Sequence, residues 1–384
     1  MNKTYINCNA KLKKQSGFTL LEVLVALALG VAILTATITM QIQHRKGFAL
    51  TSNKLEMQTN AKFAFEFISQ SLRSAGAMGC KNAKALAGGS TTLDNSCVGA
   101  VCLNLADPTI AYADFRPGQE VLGYQSLGTS LSPALSTTFP FVTNGDNNDN
   151  SDVLTVSGGY GEVYNVKPEY NIAVTDGGFE LDLTGISQVR LINNQYGMLT
   201  SCKGAKIFQV VSTNAEIGAG TINWAGQLGT RSESVANGNE REFRRAAVVT
   251  YFVGQHPLGD TNGVPTLYQD VDGVSTRLIE GVEEIQLLYG YSDGASTDRN
   301  VANRYDTADN ITDWSEVISV RVGLIMRSAQ PVFETNQTQN ISLACANGYT
   351  QSTKTDRFAR STYCADVTLR NRLTGTRVGE KVTI

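Results

Sequence analysis

Histidine is almost missing from the 384 residues: only His44 and His256 occur, far apart and in different contexts. His44 lies four residues after a long apolar run, so a histidine-dependent triad or zinc site would have to rest on His256 alone. No H-E-x-x-H or Walker A string is present, and Gly218 and Gly220 lack the third glycine and following helix of a dinucleotide fingerprint. The seven cysteines include no C-x-x-C pair, which sets aside a zinc ribbon or a thioredoxin-like dithiol. Charge is sparse, at 17% of residues. Lys3, Lys11, Lys13 and Lys14 are concentrated in a segment without Asp or Glu, and removing these four takes the net charge from −3 to −7. An acidic remainder with no basic stripe is poorly suited to neutralising phosphates, so no direct nucleic-acid binding is expected. These absences point away from an enzyme and from a cofactor.

What is present begins with Phe18 to Met40, an apolar run of 23 residues whose one charge is Glu22. As a helix it extends about 34 Å, enough for a hydrocarbon core of about 30 Å. The lysines before it place the N-terminus in the cytoplasm by the positive-inside rule. A cleaved secretory signal has a shorter apolar core and a small-residue cleavage site after it. Here the helical pattern instead continues beyond the run. Met57, Ala61, Ala64, Phe65, Ile68 and Leu72 recur at three- and four-residue spacing until Gly76 and Gly79. One helix from Phe18 to about Ala75 is predicted, apolar all round in its first half and amphipathic in its second.

After the helix, short β-branched runs separated by Gly, Asn, Asp and Ser indicate strands and turns. Strands are expected at Asp152 to Val156, Lys206 to Val211, Ala246 to Val253, Leu278 to Tyr289 and Val317 to Met326. In the last, Ile318, Val320, Val322, Leu324 and Met326 alternate with Ser319, Arg321 and Gly323, the pattern of one buried face. Thr143 to Ser151 and Asn214 to Glu240 read as loops. The expected fold class is α+β: a long N-terminal α-helix, half membrane-spanning and half amphipathic, packed on a large antiparallel β-rich globular body. The predicted division is 1–17, a basic leader; 18–75, the helix, with 18–40 transmembrane; and 76–384, the body.

The string KKQSGFTLLEVLVALAL resembles the class III signal of type IV pilins and pseudopilins. The resemblance implies that a prepilin peptidase cuts between Gly17 and Phe18 and methylates the new amine, and that the apolar run is kept. It also implies that Glu22, the fifth mature residue, meets the N-terminal ammonium of a neighbouring subunit. A carboxylate at the centre of a membrane helix costs about 2.5–3.5 kcal/mol on insertion scales, which favours a paired role. The alternative is hydration of Glu22 at the cytoplasmic interface. SLRSAGAMGC, SDVLTV, LTSCKGAKIFQV, LIEGVEEIQLLYGYSD, DWSEVISVRVGLIMRS and CADVTLRNRL resemble, in order, the helix exit and strands of the PilW family of minor pilins. That implies a single-pass inner-membrane subunit with a periplasmic body, later incorporated into the extracellular pilus. The implied partners are other minor pilins, the major pilin and a large tip adhesin, in a complex that primes pilus growth and supports twitching motility. Many major pilins carry a helix-loosening proline where this chain has Thr39; its first proline is Pro108.

Cys8 falls in the leader, which leaves Cys80, Cys97, Cys102, Cys202, Cys345 and Cys364. An even number in an oxidising compartment reads as up to three disulfides, with some buried free thiols as the alternative. Cys345 and Cys364 flank a polar loop before the last strand and are expected to pair. The other four allow three connectivities, among which one joining Cys80 to the loop after it is favoured. The Asp- and Asn-rich stretch Asn144 to Asp152 and the pair Asp270 and Asp272 offer the oxygen ligands that calcium takes, but solvated turns explain them more simply. Two further readings stay open: a pseudopilin of a type II secretion system, and a membrane-anchored adhesin acting through the β body.

Overall fold

The computed structural model describes residues 17–78, 81–82, 103–105, 119–127, 131–133, 151–167, 177–186, 188–201, 205–224, 241–256, 263–292, 301–343, 345 and 352–372. The chain divides into two compact units, Met1–Asn53 and Lys54–Ile384, so the boundary falls inside the first helix. That helix, α1 (Leu20–Ser74), starts after Thr19, whose Oγ1 accepts from the Glu22 amide at 3.3 Å. In the first unit no described side chain is buried. The hydroxyls of Thr35, Thr37 and Thr39 donate to the carbonyls of Val31, Ile33 and Thr35, four residues back, at 3.0, 2.6 and 2.7 Å. Satisfying polar groups within the helix suits an apolar surrounding.

In the second unit Met57, Ala61, Ala64, Ile68 and Leu72 are buried at spacings of four and three, the stripe expected of an amphipathic helix on a core. Gly76, at φ +64°, ends α1 in the left-handed conformation that glycine adopts without strain. The strands follow in order: β1 (Ala77–Met78), β2 (Lys81–Asn82), β3 (Leu103–Leu105), β4 (Val121–Ser126), β5 (Leu131–Ser132), β6 (Val153–Val166) and β7 (Gly178–Asp182). Next come β8 (Tyr196–Ser201), β9 (Ala205–Gln209), the short helix α2 (Asn214–Gly218), β10 (Thr221–Asn223) and β11 (Arg241–His256). The remainder is β12 (Val264–Val271), β13 (Val274–Glu280), β14 (Val282–Tyr291), β15 (Arg304–Asp306), β16 (Val317–Arg327), β17 (Gln337–Ile341), β18 (Ser352–Asp356) and β19 (Arg360–Thr368).

Two long neighbours, β6 and β11, organise the larger sheet. One end of this pair is flanked by β4 and β12, the other by β7 and β8. A second sheet runs β15-β14-β16-β19, and β17 and β18 form a separate hairpin. Pairing among the described strands is antiparallel except for β3 with β9. Each end of the β6–β11 pair has its own core. The first joins the α1 stripe to Val121, Leu154, Tyr251, Leu267, Leu287, Val322 and Val367, drawn from both sheets. The second is aromatic: Phe179 lies 5.4 Å from Phe243, and Phe208 lies 5.4 Å from Trp224, between ring centroids. Full burial of such side chains contributes about 1.5–3 kcal/mol each.

The α+β class and the helix are as the sequence indicates, with several strand ends different. The run Leu278 to Tyr289 is two strands, because Gly281, at φ +83°, turns the chain between β13 and β14. The β6 strand extends ten residues past Val156 because the 16-residue β11 offers it partners from Tyr251 back to Glu242, with one break in register. Within the expected loop from Asn214, a capping box between Thr213 and Glu216 forms α2, and Thr221–Asn223 pairs with β7. Strand β16 is buried on both faces: Val320, Val322, Leu324 and Met326 face the first core, and Ile325 packs with Ile341 and Leu343.

Candidate functional site

Among the described residues no enclosed reaction centre emerges; the candidate site is α1 and the seam that holds its second half to the body. At its start Gly17 and Phe18 precede the helix, and Phe18 is 81% exposed. Glu22 lies in the first helical turn, where a carboxylate interacts favourably with the helix dipole. It borders a shallow apolar groove with Phe18, Val23, Ala26, Gly30 and Leu34. Leu20–Ser74 contains a stretch of mean hydropathy 2.4 with none of its residues buried, long and apolar enough to cross a membrane.

The seam is closed by residues that pattern reading did not single out. At the end of α1, Asn371 Nδ2 donates to the carbonyls of Arg73 and Ala75 at 3.1 and 2.9 Å. These are carbonyls that a helix C-terminus leaves without intrahelical partners. Next to it Arg372, 7% exposed, pairs with Glu120, 4% exposed, at 2.7 Å. Arg372 also donates to the carbonyls of Trp314 and Val317. A Cβ on Gly76 would sit 3.1 Å from Glu120 Cγ, so the glycine admits this carboxylate as well as the turn. The signal was available in the closing LRNRL string, whose last strand ends just before two polar residues with this role. Lower down, Tyr251 of β11 donates to the Phe67 carbonyl at 3.1 Å and contacts the Ser71 hydroxyl at 2.7 Å. Burial pushes its phenol up to about 12.

A second buried group ties the two sheets together. Asp152 accepts from the amides of Ser126 in β4 and Leu287 in β14, at 2.9 and 2.8 Å, and its own amide donates to Ile285. Burial pushes its carboxyl up to about 7, against the opposing effect of those two amides. On the far face of the second sheet Arg360 grips Glu283 and Asp356 with paired bonds of 2.6–2.9 Å. That holds the Asp356 carboxyl below its ordinary value.

Cys345 and Cys364 are joined, with Cα atoms 6.2 Å apart, which fastens the segment after β17 onto β19. Cys8, Cys80, Cys97, Cys102 and Cys202 lie outside the described residues, as do 144–150 of the Asp-rich stretch. Asp270 spends its oxygens on the β12–β13 turn, accepting from Gly273 and Ser275, and Asp272 spends its own on β11, accepting from Val248 and Arg245. His256 Nδ1 contacts the Tyr268 hydroxyl at 2.8 Å. Gly290 to Gly294 does carry G-x-S-x-G spacing, with Gly290 and Tyr291 inside β14. Ser292 Oγ has no hydrogen-bond partner among the described residues, which place no base beside it.

The family model described as Type IV Pilus-assembly protein W matches residues 250–371, from the middle of β11 to Asn371. The prokaryotic N-terminal methylation motif matches residues 12–38. No curated protein and no solved structure matches the chain. Every residue of the aromatic second core precedes the first of these regions.

Proposed function

We propose that this chain, a type IV pilin-like protein of PilW type with a class III signal, acts in the minor-pilin complex that primes pilus assembly and sits at the pilus tip. In this reading the prepilin peptidase removes the segment ending at Gly17, and residues 18–40 anchor the subunit in the inner membrane with the body in the periplasm. Glu22 then pairs with the N-terminal amine of a neighbour, and the subunit is drawn into the filament with its helix. The role is one of assembly, not catalysis. The observation that carries this reading is the division of α1: its first part is wholly exposed and apolar with one carboxylate in the opening turn, while its second is fastened to the body by buried contacts. A helix built this way can leave a bilayer for a bundle of like helices without disturbing the body. The proposed partners are other minor pilins, the major pilin and a large adhesin. A deletion strain tests it: loss of surface pili and of twitching is expected, whereas intact pili with loss of exoprotein secretion would refute it.

A further inference from the structure

A cavity of about 630 Å³ lies where the two cores meet, within the range of about 300–1,000 Å³ typical of small-ligand sites. Phe67, Gln70 and Ser74 of α1 line it, together with Tyr164, Arg190 and Leu191. Its origin is a mismatch between β6 and β11. Tyr164 pairs with Phe243 and Tyr160 with Arg245, so Gly161, Glu162 and Val163 stand opposite Arg244 alone. A bulge of this kind bends a strand and re-aims side chains, and bulges concentrate next to functional sites. Gly161, at φ +78°, makes the bend, and the stem of Arg244 crosses Gly159, where a side chain would collide with it.

The lining holds three guanidinium groups and one carboxylate, Glu162, whose oxygen accepts from the Tyr164 hydroxyl at 3.2 Å. Arg245 is fixed by Asp272 at 2.7 Å and lies 5.8 Å from the centre of the Tyr160 ring. Arg244 is paired at 3.2 Å with Glu242, itself 44% exposed, an arrangement that contributes little and is readily exchanged. Arg190 is exposed and forms no ion pair among the described residues. The floor is rigid, since Tyr251 is held by Ser71, Gln269 and the Phe67 carbonyl.

We infer that this cleft binds a short acidic saccharide. Guanidinium groups recognise a carboxylate through paired hydrogen bonds, the rings of Tyr160 and Phe67 offer flat apolar surface, and Gln70 and Ser74 offer hydrogen bonds to hydroxyls. A long polyanion is disfavoured by the acidic body, and the cavity is too small for a folded partner. This goes beyond the assembly role and does not depend on it. The test is calorimetry of the full chain in detergent with uronic- and sialic-acid oligosaccharides, their neutral counterparts, and an Asp- and Glu-rich peptide. Acidic sugars are expected to bind at least about tenfold more tightly than neutral ones, one charge-assisted bond being worth about that factor. Arg190→Gln and Arg244→Gln should each remove about tenfold of that affinity with an unchanged unfolding midpoint. Equal affinity for neutral sugars, no binding at millimolar concentration, indifference to both substitutions, or preference for the peptide would overturn the inference.

Discussion

Replacing Arg372 with Met tests the seam between α1 and the body at its buried ion pair. The guanidinium is 7% exposed and its acceptors include the Glu120 carboxylate and the carbonyls of Trp314 and Val317. Methionine preserves most of the packing volume and removes every one of these bonds. Breaking a buried pair from one side costs about 3–5 kcal/mol, a large share of the roughly 5–15 kcal/mol that holds a domain folded. With a urea dependence of about 2–3 kcal/mol per molar, the midpoint should fall by about 1–2.5 M. The chain's two tryptophans separate the cores: Trp314 packs edge-on against Tyr289 beside the first, and Trp224 lies in the second. Single-tryptophan variants of the full chain in detergent, followed by fluorescence, should show the Trp314 transition move at least as far as that of Trp224. Glu120→Gln combined with Arg372→Met should cost less than the two separately, because they share one interaction. A midpoint shift below about 0.3 M, or strictly additive costs, would refute the reasoning.

Asp152 gives a pH prediction. Its carboxyl is raised from 3.8 to about 7 in the fold, so its contribution to stability is complete below about pH 4 and is lost as the pH rises toward 7. The stability gap between the native chain and Asp152→Asn should narrow over that interval in denaturant titrations; a constant or widening gap would contradict it. For the disulfide, non-reducing peptide mapping should recover Cys345 bonded to Cys364. Replacing both with Ser should cost about 3 kcal/mol in the chain-entropy picture, and a different partner for Cys345 would overturn the assignment. Glu22→Ala should leave membrane insertion intact, because it removes a charge from the apolar run, yet impair assembly into pili. Normal piliation would argue that the carboxylate is unpaired.

The helix was legible because two periodicities are written into it: an unbroken apolar run, then Met57, Ala61, Ala64, Ile68 and Leu72 on one face. Strand β16 was legible as a strand from its alternation, but the single buried face that this implied became two, since Ser319 and Ile325 are buried as well. The two-core organisation was not, since it depends on the lengths of β6 and β11 and on which strands flank each end. Those are long-range pairings that local pattern does not encode. Gly281 was overlooked because a glycine between two apolar stretches does not by itself distinguish a bulge from a reversal. Asn371 and Arg372 escaped because a polar residue after a last strand looks solvated until the helix end it meets is known. The motif from Gly17 to Glu22 was visible at once, because its meaning is carried by the order of residues.

The central claim is that the subunit works among other minor pilins, and in-cell crosslinking of the tagged full-length protein followed by recovery from membranes addresses it most directly. The account predicts that the captured proteins are minor pilins together with the major pilin, with capture reduced when Glu22 is replaced. Recovery of secretion-system pseudopilins instead, or of no pilin-like protein at all, would contradict it.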